Sequence, residues 1–229
     1  SVSIDCRLDA FEGSDSEPYS YIVGHPLTGG TQDHGFKIQT ASAEFNGGFQ
    51  VHINDEGTTH YNVISYDNSS QTNVELNQWY DLTMVVDRDS ELFSFYVDGV
   101  LVASQSIHPD FGNVDHANGL ALGVQSLNGS SLLAGSIDNF QVWSVALTPM
   151  QVADLQIYEP TWGEEGLLGF WDFEEGEGNL SSDIYDNAPT IQLDGTTWTG
   201  DVPLPLLNLS CFQEDSIQVT WSIRGCTDH

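Results

Sequence analysis

Positive charge is nearly missing from this chain: four Lys and Arg stand against 34 Asp and Glu in 229 residues, a formal net charge of −30. A surface of that sign repels phosphate backbones and anionic headgroups at every approach, which excludes nucleic acid and the membrane surface as partners. Long apolar runs are missing too. No stretch reaches the ~18 residues needed to cross a bilayer, so membrane insertion is excluded. The opening "SVSIDCRLDA" has neither the basic head nor the apolar run of a signal peptide, and any such leader is expected outside these residues. Cysteine is scarce, with Cys6, Cys211 and Cys226. Cys211 and Cys226 stand at a spacing a disulfide can close, whereas Cys6 falls in an alternating run and reads as a buried thiol; the odd count leaves the redox compartment open, leaning toward the cell exterior. Also absent are a phosphate-cradling glycine loop, Cys/His zinc spacing and a nucleophile elbow.

What the chain does have is length and alternation. At 229 residues a chain buries roughly 70–75% of its unfolded surface, so a core forms without staples. In "SVSIDCRL" Val2, Ile4, Cys6 and Leu8 share one face, and in "GFQVHIN" Phe49, Val51 and Ile53 do the same. "LFSFYVDGVLVASQ" reads as a hairpin turning at Asp98 and Gly99, a pair that tolerates positive φ, and "QWYDLTMVVDRDSE" precedes it as a third strand of a meander. "LALGVQS" and "SIDNFQVWS" are two further strands. One short helix follows: Thr148 caps it, Pro149 fits its first position, Gln151 completes a capping box, and Val152 and Leu155 supply the apolar side. "LLGFWDF" returns to a strand, "DNAPTIQLDGTTW" offers a short strand with a turn at Asp194 and Gly195, and "DVPLPLLN" reads as a linker. The pattern predicts an all-β fold, an antiparallel β-sandwich of jelly-roll type with one short helix on the C-terminal side. Residues 1–200 form the domain, and 201–229 are a linker and the partial tail of a following module.

Four pieces in order, "NQWYDLTMVVD", "FSFYVDGVLVAS", "GSIDNFQVWSVALTPMQVADL" and "GLLGFWDFEEGEG", resemble the laminin-G-like, concanavalin-A-like jelly rolls that also include the pentraxins. The resemblance implies that the strand headed by Ile137 and Asp138 lies at the sandwich edge, and that the helix from Thr148 covers the end of the core. The fourth piece and the closing "GCTDH" resemble segments of large secreted proteins of marine Bacteroidetes. The resemblance further implies a structural Ca²⁺ near Asp138, with Glu174, Glu175, Asp183 and Asp186 as further carboxylates, since hard oxygen ligands from chain-distant positions are what this ion requires.

Two other chemistries are weighed on the residues themselves. Sugar recognition needs an aromatic platform and planar hydrogen-bonding groups. The loops "SDSEPYSYIVGHPLTGGTQDHG" and "HPDFGNVDHANG" supply Tyr19, Tyr21, His34, Phe111, Asp115 and His116 as ligand-binding candidates. Catalysis is disfavoured. No Glu-x-Asp-x-x-Glu strand is present to set two carboxylates ~5 Å apart. "QVHI" is similar to the Gln-x-His strand of one alginate lyase family, but His52 reads as an ordinary strand residue, and four basic residues equip the chain poorly for a polyuronate. The expected function is therefore a non-catalytic, calcium-stabilised module, secreted or displayed at the cell surface, that binds a polysaccharide or cell-surface glycan within a larger adhesive protein. The alternative is a structural subunit that self-associates or packs on neighbouring domains without a sugar ligand.

Overall fold

The computed structural model describes residues 1–11, 19–25, 34–41, 47–56, 60–67, 74–114, 119–124 and 131–203. Among these, the strands in chain order are β1 Val2–Leu8, β2 Tyr21–Gly24, β3 Gly35–Thr40, β4 Gly48–Asn54, β5 Tyr61–Asp67, β6 Trp79–Asp87, β7 Leu92–Val97, β8 Val100–Ser106, β9 Ala121–Leu122, β10 Gly135–Trp143, β11 Leu167–Trp171, β12 Leu180–Ser181 and β13 Ile191–Gln192; the helix α1 spans Pro149–Asp154. They form a six-stranded sheet in the order β11-β10-β1-β6-β7-β8, a five-stranded sheet in the order β5-β4-β3-β2-β9, and the hairpin β12-β13. The two large sheets are antiparallel throughout and pack face to face.

Alternation fixes what lies between them. Ile4, Cys6 and Leu8 of β1, Phe49, Val51 and Ile53 of β4, and Phe93 and Phe95 of β7 all enter one core cluster with 1% exposure or less. Full burial of one such side chain stabilises by roughly 1.5–3 kcal/mol, so this interior dominates the fold. Cys6 is a free, buried thiol. The meander turns where the sequence predicts: Asp98 and Gly99 take φ of 49° and 71°, the double positive-φ geometry that matches the right-handed twist of the flanking strands.

Two placements differ from expectation. The strand headed by Ile137 and Asp138 is not at the edge, because β11 pairs along the free side of β10, with Phe140 opposite Trp171. The helix does not cover the end of the core; it lies on the outer face of the six-stranded sheet, where Val152 joins Val85, Tyr96, Trp143 and Leu147 in a second cluster. The reason is periodicity: Val85 and Tyr96 point away from the main core, and such apolar groups need a cover. The helix cap itself matches, with Gln151 N donating to Thr148 Oγ1 at 3.3 Å and Thr148 N donating to Gln151 Oε1 at 2.9 Å. No helix among the described residues is long and apolar enough to cross a membrane. The C-terminal tail, with the expected strand "SIQVTW" and the Cys211 and Cys226 pair, lies outside the described residues.

Candidate functional site

While Phe49, Val51 and Ile53 of β4 point into the core, the residues between them point out. Register then sets which residues become neighbours. Gln39 of β3 lies opposite Gln50 of β4, which lies opposite Ser65 of β5; Lys37, His52 and Val63 form the next rank, and Gly35, Asn54 and Tyr61 the third. Hydrogen bonds run along the first rank across three strands: Gln39 Nε2 donates to Gln50 Oε1 at 3.3 Å, and Gln50 Nε2 donates to Ser65 Oγ at 3.1 Å. One rank along, His52 Nδ1 is hydrogen-bonded to the Tyr61 hydroxyl.

Exposure varies across this face. Tyr61 is 56% exposed and Ser65 is exposed, while Gln39 and His52 are buried. Gln39 Oε1 and His52 Nε2 are both enclosed and meet no hydrogen-bond partner among the described residues. Burial, reinforced by the Lys37 ammonium across the register pair, pushes the His52 imidazole down to about 3. The ring is therefore neutral at physiological pH and acts as a hydrogen-bonding group rather than a cation.

The outer face of the other sheet is opposite in character. Asp5 of β1 is paired with Asp138 on β10 and with Asp81 on β6. Asp98 extends the row by accepting from Asp81 N at 3.0 Å, and Asn139 donates to Asp5 Oδ2 at 2.8 Å from a left-handed backbone with φ of 48°. Ser3 and Thr83 donate to the two Asp81 oxygens at 2.9 and 3.0 Å. Burial raises Asp81 to about 6, with the Asp98 charge adding to it against those hydrogen bonds. Asp138 is pushed up to about 7 by burial, partly offset by the Asn139 amide and reinforced by Glu174, Asp172 and Glu159. Asp5 also moves well upward, through burial and then the Asp81 charge. A cleft of about 300 Å³ opens over Asp5, Asp81 and Asp98, walled by Trp79 and Tyr158.

The residues singled out from sequence do not assemble as expected. Among the described residues no group of three or more His, Cys, Asp or Glu is placed to hold a metal ion. Asp138 belongs to the acidic row, Glu174 and Asp186 are exposed, and Glu175 Oε1 accepts from Ser182 N at 2.7 Å. Asp183 is buried with both oxygens occupied: Oδ1 accepts from Phe170 N at 2.8 Å, and Oδ2 from Asn187 N and Ala188 N at 2.5 and 3.0 Å. That carboxylate organises the turn after β12 against β11, and these five side chains do not fit one calcium shell. Asp183→Ala leaves three amides without their acceptor, each a loss of about 1–3 kcal/mol when buried. We expect a loss of about 3 kcal/mol or more in denaturant titrations, unchanged by chelator; destabilisation seen only with calcium present would return Asp183 to an ion site.

Two of the loop aromatics are buried. Tyr21 is not in a loop but in β2, fully buried, its hydroxyl donating to His25 O at 2.8 Å. Phe111 is 5% exposed and joins the main core, with the Arg88 guanidinium 5.4 Å over its ring. Tyr19 and His34 are half-buried, and Asp115 and His116 lie outside the described residues. The ordered polar array missed from sequence is the set Gln39, Gln50, Tyr61 and Ser65 with His52; its one visible signal was the polar alternate positions of "GFKIQT" and "GFQVHIN".

No curated protein matches the chain by sequence. Among solved structures, a candidate carbohydrate-binding protein from Bacteroides ovatus aligns with a TM-score of 0.61 at 16% identity, covering 86% of this chain and 54% of its own, so the chain spans about half of that protein. The CBM40 module of a Ruminococcus gnavus IT-sialidase, solved with α2,3-sialyllactose bound, aligns with a TM-score of 0.54 at 14% identity over 67% of this chain and 80% of its own. These likenesses establish the fold. Residues 12–153, more than half of the chain, match the model of one family, and the chain belongs to that family, Laminin_G_3 of the concanavalin A-like lectin/glucanases superfamily.

Proposed function

We propose that this chain is a non-catalytic carbohydrate-binding module of a larger extracellular protein, and that it receives its glycan on the outer face of the five-stranded sheet. The observation that carries this reading is the hydrogen-bonded rank of Gln39, Gln50 and Ser65, beside the His52 and Tyr61 pair. Planar amides, an imidazole and an exposed phenol ring are the groups that read sugar hydroxyls and cover the apolar side of a pyranose ring. Gln39 Oε1 and His52 Nε2 remain enclosed without a partner among the described residues. Such groups cost about 1–3 kcal/mol each, and native proteins keep them where a water, ion or ligand completes the set.

Binding fits this face better than catalysis does. A glycosidase needs two carboxyl groups flanking the scissile bond, and the three ranks Gln39–Gln50–Ser65, Lys37–His52–Val63 and Gly35–Asn54–Tyr61 contain none. An imidazole held near 3 is a weak base at neutral pH, whereas a general base works best with a pKa near the operating pH. The Bacteroides ovatus and Ruminococcus gnavus proteins add support, since both are described by carbohydrate binding. Self-association through strand edges gains less support: along one side of the sandwich Gln105 Nε2 donates to Val63 O at 2.6 Å and Asn62 Nδ2 to Ser106 O at 3.2 Å, tying β5 to β8.

The test is retention of the folded chain on a broad glycan panel. We expect saturable binding to a defined class of sugar. Monodisperse, folded protein retained on no glycan would overturn the reading.

A further inference from the structure

Exposure on the glycan face rises from one strand to the next, and the gradient bears on the shape of the ligand. β5 is the edge strand of the five-stranded sheet. It carries the two exposed groups, Tyr61 and Ser65, while Gln50 on β4 is half-buried and Gln39 on β3 is only 6% exposed. Gln39 is therefore reached through Gln50, to which it donates, and not by a ligand that crosses onto β3. The accessible strip is narrow, and it runs along β5 with Gln50 beside it.

The two ends of that strip differ in chemistry. Tyr61 offers a ring, held through the hydrogen bond between its hydroxyl and His52 Nδ1, and an aromatic face covers the apolar side of a pyranose. At the other end the Ser65 hydroxyl accepts from Gln50 Nε2 and has its own proton to donate, and the Gln50 amide has a second N–H. Between the ends Val63 is half-buried and brings no polar side-chain atom. Tyr61 and Ser65 are four residues apart on one strand, about 13 Å in extended backbone. The phenol leans inward by one rank to meet His52, its ring centroid 5.7 Å from that of the imidazole. Ser65 still stands a full rank beyond His52 in the register, or about 7 Å. A sugar ring stacked on Tyr61 is centred short of the phenol hydroxyl, and its own hydroxyls do not reach the Gln50 and Ser65 pair. The next ring along a chain does.

Resting on the carbohydrate-binding reading above, we infer that the face selects a linear glycan chain laid along β5 rather than a single terminal sugar. It engages at least two consecutive rings, one stacked on Tyr61 and one hydrogen-bonded to Gln50 and Ser65. Two further net hydrogen bonds set the gain from the second ring at about tenfold.

Calorimetry on length series tests this. The probes are the mono- to hexasaccharides of β-1,3-glucan, β-1,4-glucan, β-1,4-xylan and β-1,4-mannan, with the same lengths cut from any other linear glycan that the panel retains. We expect affinity in at least one series to rise about tenfold between the monosaccharide and the trisaccharide, and to change less than threefold from there to the hexasaccharide. Gln50→Ala should cut that gain to about twofold and leave monosaccharide affinity as it was; Ser65→Ala should act in the same direction, so the result does not depend on the folding of one variant. Tyr61→Ala should weaken every length alike. Equal affinity for monosaccharide and trisaccharide in every series that binds overturns the linear-chain selection while leaving the carbohydrate face standing. Retention of branched or terminally capped glycans alone, with no series bound, does the same. A length gain that both Gln50→Ala and Ser65→Ala leave intact overturns the role of that pair. No retention of any series member or panel glycan removes the underlying reading and this inference together.

Discussion

Asp81→Asn should make the protein more stable at pH 8 and slightly less stable at pH 4. Asp81 sits in the middle of the acidic row, paired with Asp5 and donating its backbone N–H to Asp98 Oδ1, and its carboxyl is raised from 3.8 to about 6. A group whose folded value lies above its unfolded one contributes stability below the unfolded value and loses it as pH rises through the folded one. For Asp81 the window is therefore from about 4 to about 6, and above it the ionised carboxylate costs the folded state about 3 kcal/mol. Asparagine removes that cost. It also keeps the shape, although Ser3 and Thr83, which both donate to Asp81, must reorient one hydroxyl to meet the new amide, at about 1 kcal/mol. The net gain at pH 8 is about 2 kcal/mol, or about 4–8 °C in thermal midpoint for a chain of this size. Only the difference between variant and wild type is read, so the remaining groups that titrate on folding cancel, including His52, which opposes the row by losing stability below its unfolded value of 6.5. A difference that does not change between pH 4 and pH 8 would mean that the row is not desolvated.

The second large effect is on binding. Tyr61 combines 56% exposure with a hydroxyl held by the buried His52, so its ring is presented at a set angle at little cost in motion. Removing an exposed aromatic at the centre of a recognition site costs about 2 kcal/mol or more, close to thirtyfold in affinity. Tyr61→Ala should lower glycan affinity by that amount with little change in thermal midpoint, because most of the side chain is already in water. Tyr61→Phe keeps the ring and should lose only a few-fold, through the lost hold of His52. Gln50→Ala should fall between them, at about fivefold, because it removes one contact and both links of the rank. If the Phe and Ala variants at position 61 bind as the wild type does, the sugar lies elsewhere on the surface.

Much of the fold was legible along the chain because its signals are local. The Asp98 and Gly99 turn, the Thr148 cap with Gln151, and the inward sets Ile4, Cys6, Leu8 and Phe49, Val51, Ile53 each follow from a few adjacent residues. What needed three dimensions was neighbourhood. That β10 is second from the edge depends on β11 arriving from about thirty residues downstream to pair with Phe140. Two of the binding candidates differ for a related reason: Tyr21 and Phe111 read as loop aromatics from their Gly- and Pro-rich surroundings, but burial drew one into β2 and the other into the core. Gln39, Gln50 and Ser65 come from three strands and become one array only through cross-strand register, which no single segment encodes. The acidic row has the same origin, as its members are scattered from Asp5 to Asp138 among 34 acidic residues.

The proposed glycan site lies across β3, β4 and β5 on the outer face of the five-stranded sheet. Its most direct test is backbone and side-chain amide chemical-shift mapping of the folded chain during titration with the best glycan from the panel. We expect saturable shifts concentrated at Gln39, Gln50, Tyr61 and Ser65, including the side-chain amides of the two glutamines. Saturable shifts that leave these residues unmoved and cluster instead at the Asp5, Asp81 and Asp98 cleft, or at the loops beyond β8, would contradict it.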